Sequence, residues 1–317
     1  MTSVALYLRA TCPLRDVALT KEHTGLLLGF TGVLLFSGTL PATRIAVQTL
    51  DPMFVGLGRS VLAAHLAAIA LIVTRQPFPR GAVWKWLGIA AGGVVFGFPA
   101  LTSWAMRHVP SAHGAIVVGL LPLATAIAAT VINHERPSRA FWLASVTGSA
   151  LVVAFAMTMG AGALHAADFA LLGAVALGGI GYAAGARATR TLGGWQTISW
   201  VLLISVPVLL PITAAAAVQT DFTVVPWSAW ACLAYVAVFS QYLGFFAWYR
   251  GLDLGGVARV SQVQLLQVFL TLIISALLVG ETISLMMLLF AVAVVAVVAL
   301  GRRASVTTPV AAAVASR

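Results

Sequence analysis

Ten apolar runs of about 20 residues, each closed by charge, proline or clustered glycine, divide the chain between residues 25 and 300. A run of that length is what an α-helix needs to cross a bilayer. Composition agrees, since 61% of the 317 residues are apolar and 8% are charged, and the mean hydropathy is +1.02. A water-soluble domain needs roughly a quarter of its residues charged to cover its surface. Lipid is therefore the solvent, and the expected fold class is all-α integral membrane.

The expected spans are 25–47, 54–74, 84–106, 112–133, 139–158, 168–188, 195–217, 227–249, 257–279 and 282–300. Lys and Arg of such a protein collect in cytoplasmic segments. Here they fall in alternate segments: Arg9, Arg15 and Lys21; Arg75, Arg80 and Lys85; Arg136 and Arg139; Arg187 and Arg190; Arg250 and Arg259; Arg302, Arg303 and Arg317. The intervening loops hold Arg107 with Asp51, Asp168, Asp221 and Glu281. Ten transmembrane helices with both termini cytoplasmic, in an inner or plasma membrane, account for the alternation. The formal net charge of +10 is thereby spread over loops with no basic face, which argues against a nucleic-acid partner. Cys12 and Cys232 lack metal-like spacing, and no cofactor or metal is expected. The first 24 residues lack the pattern of a cleaved signal peptide.

The chain repeats itself. A shift of about 146 residues lays Ala112–Glu135 on Ala258–Glu281, and one of about 143 lays Gly38 and Arg44 on Gly181 and Arg187. Two five-helix halves are expected, at 25–158 and 167–301, between a cytoplasmic segment 1–24 and a disordered tail 302–317. Because five is odd, the halves would be inverted repeats, an arrangement of transporters that alternate access around a midplane site.

The motifs carrying this repeat are Arg59 after "FVGLG", "VPSAHGAIVVGLLPLATAIAATVINHERPS" across the fourth span, and "GLDLGGVARVSQVQLLQVFLTLIISALLVGETIS" across the ninth. In their order over two halves they resemble the drug/metabolite transporter superfamily, in its ten-helix EamA branch. Pro122 keeps that pattern's proline in the first half, and Val268 replaces it in the second. The resemblance implies a permease whose cavity is lined by the first four helices of each half, with the fifth and tenth outside. It also implies export or exchange of amino acids or similar metabolites, commonly with protons as the coupling ion.

Polar side chains at bilayer depth are costly unless they meet a cavity or a partner, so each is a candidate. His65 in "LAAHLAA" could take a coupling proton or a substrate carboxylate, or be a neutral His bonded to a neighbouring helix. Ser261, Gln264, Gln267 and Thr271 share one helical face of the ninth span. They read as a binding stripe for neutral polar or zwitterionic groups, or as interhelical glue. Arg44 and Arg59 flank Asp51, where an Arg fork could hold a carboxylate; snorkelling or pairing with Asp51 is the structural alternative. Tyr182, beside Gly181 and Gly185, and Trp104 are candidate cavity aromatics. Glu135 and Glu281 recur at the ends of spans four and nine and read as structural, each accepting from the amides that open the next helix.

No zinc or nucleophile-elbow motif occurs, so an enzyme is not expected. The leading reading is a secondary active transporter exporting amino acids or related metabolites. The alternatives are an efflux permease for drugs or lipophilic cations, disfavoured by the lack of mid-span acids, and a membrane scaffold or sensor without transport. Monomer and homodimer remain open.

Overall fold

The computed structural model describes residues 21–159, 165–302 and 306–307. Eight of its helices are long and apolar enough to cross a membrane: α1 (Lys21–Ala46), α2 (Pro52–Val73), α3 (Val83–His108), α4 (Ser111–Ile132), α6 (Ala166–Leu192), α7 (Gly194–Val218), α8 (Trp227–Gly255) and α9 (Val257–Val279). Two more helices, α5 (Arg139–Met159) and α10 (Leu285–Arg302), pack against each other. The expected tail at 302–317 and segment at 1–24 lie mostly outside the described residues. Within the tail, Val306–Thr307 pair antiparallel with Arg136–Pro137.

The helix ends follow local chemistry. Asp51 caps α2, its Oδ1 accepting from the amides of Met53 and Phe54 at 2.8 and 3.1 Å, with Pro52 at the first helical position. Gly256 has φ of +84°, a conformation that only glycine adopts without strain, and it turns the chain sharply from α8 into α9. The sequence placed the end of the eighth span at 249. The helix instead runs six residues further, to Gly255, with Arg250 and Asp253 paired at 2.8 Å along its surface and Gly256 ending it.

Packing crosses between the halves. α1 packs against α8 and α9, while α6 packs against α3 and α4; α2 lies on α7. Backbones approach closely between α3 and α6, where a Cβ on Gly93 would stand 2.4 Å from the Leu177 carbonyl oxygen. α3 and α8 each contain a π-helical stretch, Ala91–Gly97 and Val236–Leu243, beside the cavity described below.

Glu135 and Glu281 fasten α4 to α9. The carboxylate of Glu135, after the end of α4, accepts from the amides of Val257 and Ala258 at 2.9 Å each, at the start of α9. Glu281, after the end of α9, accepts from the amides of Ser111 and Ala112 at 2.8 Å each, at the start of α4. The two helices are thus antiparallel neighbours, tied at both ends by an anion on a helix N-terminus. This corrects the expectation that each Glu serves the next helix in sequence.

Candidate functional site

Proline builds the site. Pro41 has no N–H, so the Ser37 carbonyl four residues earlier loses its helical donor; Thr271 Oγ1 on α9 donates to it at 2.9 Å. Just before it, Gln267 Nε2 approaches the Phe36 carbonyl at 3.5 Å. Pro99 likewise frees the Val95 carbonyl, which Ser60 Oγ approaches at 3.5 Å, and Gln241 Nε2 donates to the adjacent Val94 carbonyl at 2.9 Å. Side chains of α2, α8 and α9 thereby replace lost backbone donors at the middle of α1 and α3.

Between these broken segments lies a central cavity walled by Phe36, Thr39, Arg59, Tyr182, Gln241 and Gln267, among others. Its volume is about 20 Å³, room for roughly one water, so the conformation is closed. A smaller adjoining pocket is walled by Gln264, Gln267 and Thr271 against Leu40, Ala115 and Val118. Gln267 belongs to both and joins them into one polar track along α9. Beside this track the wall rings of Phe36, Tyr182 and Phe245 cluster with the ring of Trp248, which lines neither pocket, at centroid distances of 5.2 to 6.0 Å in four pairs. Among the described residues, none of α5 or α10 contributes to either pocket.

The polar atoms of the wall are unevenly satisfied. Thr39 and Ser240 share a hydrogen bond at 2.8 Å, and Gln264 Nε2 approaches the Tyr182 hydroxyl at 3.5 Å. Arg59 is 1% exposed, and its Nε and Nη1 have no partner among the described residues; the same holds for Oε1 of Gln264 and of Gln267. Among the described residues no Asp or Glu lines the cavity.

Of the residues singled out in the sequence, Arg59, Tyr182, Gln264, Gln267 and Thr271 come together here. Ser261 is buried on α9 but outside both pockets, donating to the Ala258 carbonyl at 3.1 Å. His65 is a correction. It is exposed among Leu62, Leu66 and Ile69 on the outer face of α2, and its Nδ1 meets the Val61 carbonyl at 2.8 Å. The helical turn places it on the side of α2 away from Arg59 and the cavity. Trp104 is a second correction: it is half-buried, its ring 4.3 Å from the ring of His108, and lines neither pocket.

The pairing of Arg44 and Arg59 around Asp51 does not form either. Asp51 uses its carboxylate on the α2 cap, Arg44 donates to the Met106 carbonyl, and Arg59 lies two turns deeper. Arg187, at the place equivalent to Arg44, donates to the Ile132 carbonyl at 3.1 Å. Pro122 sits where α4 restarts after a break at Gly119 and Leu120.

Sequence reasoning missed Thr39, Ser240 and Gln241. Gln241 carried the same signal as Gln264, an amide at mid-span, and could have been found by it. It also missed a buried pair at one end of the bundle, His113 Nε2 to Asp168 Oδ1 at 2.6 Å, between α4 and α6. Those residues are 55 positions apart, and no spacing rule joins them.

Comparison with known proteins gives a consistent picture. The EamA-like transporter family matches twice, over residues 23–157 and 165–301. The chain is 42% identical to the "Uncharacterized transporter YdeK" of Bacillus subtilis (strain 168) over 290 residues, 90% of this chain and 99% of that protein. It is 24% identical to the "Uncharacterized transporter YyaM" of the same organism, over 80% of this chain and 86% of that protein. A crystal structure 18% identical in sequence superposes with a TM-score of 0.65, covering 87% of this chain and 97% of its own, and so shares the fold.

Proposed function

We propose, from the fact that the chain belongs to the EamA-like transporter family, that it is a secondary active transporter exporting amino acids or related small metabolites by alternating access. Membership makes it a multi-pass membrane transporter; the substrate, direction and mechanism are our reading. The observation that carries the substrate class is the cavity wall, where amides, hydroxyls and one cation meet a ring cluster with no carboxylate among the described residues. A site for lipophilic cations would want a buried acid there. Alternating access is supported by the crosswise packing of α1 and α6 and by the reciprocal ties of Glu135 and Glu281. Both are what a two-fold pseudo-symmetry between inverted five-helix halves would produce. In that reading α5 and α10 also cross the membrane, giving ten spans with both termini cytoplasmic. A closed cavity at the helix breaks is then an occluded intermediate between two opening directions.

Reconstitution into proteoliposomes with counterflow of labelled amino acids, sugars and cationic dyes tests the reading. Amino-acid counterflow is expected. Dye movement without an amino-acid signal would replace the substrate class, and no counterflow of any solute would favour a scaffold or sensor. Acidifying the trans side tests proton coupling in the same vesicles.

A further inference from the structure

The guanidinium of Arg59 is buried, charged and incompletely bonded. Arginine does not shed its proton in proteins, so neutralisation is not a way out, and a buried cation without a partner is strongly disfavoured. Among the described residues no ion pair involves Arg59, and no acid lines the cavity it faces. Its Nε and Nη1 are both unclaimed there, and guanidinium N–H groups form a planar fork that matches the two oxygens of a carboxylate.

The complementary half of the pattern is on α9. Gln267 Nε2 faces the Phe36 carbonyl and Gln264 Nε2 faces the Tyr182 hydroxyl. Turning the Gln267 amide over would set its oxygen against another carbonyl oxygen, so that orientation is determined by its neighbour. Oε1 of Gln267 is left buried without a donor among the described residues, and so is Oε1 of Gln264 in the orientation that donates to the Tyr182 hydroxyl; turned over, it would accept from that hydroxyl instead. The site therefore has unfilled donors on α2 and unfilled acceptors on α9, with the ring cluster of α1, α6 and α8 beside them.

We propose that Arg59 is the carboxylate anchor of the transport site, with Oε1 of Gln264 and of Gln267 receiving the ammonium group, so that the solute is a zwitterionic amino acid with an apolar side chain. The inference deepens the transport reading and rests on it. The closed cavity admits no such solute. Binding therefore belongs to an opened state, in which the α2 and α9 walls separate and the charge of Arg59 is met by the incoming anion.

Counterflow of labelled leucine into wild-type proteoliposomes, with competitors that each lack one end, tests it without any mutation. Leucine should compete, while leucinamide, lacking the acid, and 4-methylpentanoate, lacking the amine, should each be weaker by about tenfold or more. Leucinamide competing as well as leucine overturns the anchor. Arg59→Lys keeps the charge without the fork, and Arg59→Met removes both; leucine transport should fall in the first and be lost in the second. Wild-type rates in Arg59→Met would also overturn it, and if that variant does not fold, Arg59→Lys and the competitor series decide.

A thermal-shift series on detergent-purified protein separates this from the function. Suppose wild type moves no amino acid, yet 4-methylpentanoate stabilises wild type and not Arg59→Lys. The anchor then stands and the amino-acid function falls. Leucine transport with leucinamide equal to leucine does the reverse, keeping the function and overturning the anchor. Stabilisation by inorganic phosphate equal to that by the carboxylate overturns a carboxylate site in favour of a general oxyanion site, and stabilisation by neither overturns the anchor.

Discussion

Glu135 accepts a hydrogen bond from the amide of Val257, 122 residues away in sequence, at 2.9 Å. Its second oxygen takes the neighbouring amide of Ala258, so one carboxylate closes the start of α9 from the end of α4. Charge on a helix N-terminus and two charge-assisted bonds make this tie stronger than an ordinary cap. Glu135→Ala should lower stability by about 2–3 kcal/mol, and Glu135→Gln by less because one acceptor survives. Thermal unfolding in detergent reads both. Glu281→Ala should behave likewise, and equal stability of Glu135→Ala and wild type would show that the tie contributes nothing to the fold.

His65→Ala is expected to transport at wild-type rates. The imidazole is on the outer, apolar face of α2, bonded to its own helix. Uptake in proteoliposomes reads this, and a transport loss at normal expression would mean that His65 reaches the solute path in another conformation.

Gln267→Glu should abolish carboxylate transport, at a modest cost in stability because it also replaces the amide donor that faces the Phe36 carbonyl. The substitution is nearly isosteric and sets an anion in the cavity that Arg59 also lines, where it can occupy the guanidinium that a solute would need. Unchanged leucine counterflow would count against a shared site.

Gly93→Ala should destabilise by about 1–3 kcal/mol or more, as overpacking does, because its new Cβ meets backbone rather than a movable side chain. Melting temperature and yield in detergent are the measurements. A neutral result would mean that α3 and α6 slide apart at little cost.

Asp168→Asn weakens the buried bond to His113 and replaces an acceptor of the His165 amide, 2.9 Å from Oδ2. A loss of about 1–3 kcal/mol in unfolding free energy is expected. His113→Phe, alone and combined with Asp168→Asn, completes a double-mutant cycle, and a coupling energy distinct from zero shows that the pair acts as a unit.

Apolar run length, loop charge and repeat spacing are local properties, and so the solvent, the apolar segments and the kinship of the halves were legible in the sequence. Gln264, Gln267 and Thr271 were legible too, since a polar stripe on a helix must face inward whatever its neighbour is. The assembled bundle settles what no single helix specifies: which face of α2 is inward, making Arg59 central and His65 peripheral. It likewise sets Glu135 on α9 and joins His113 to Asp168. Helical periodicity puts residues on faces, but a face acquires its meaning from what packs against it. In lipid an outward face and an inward face can be equally apolar, so the two are told apart only once the helices are packed.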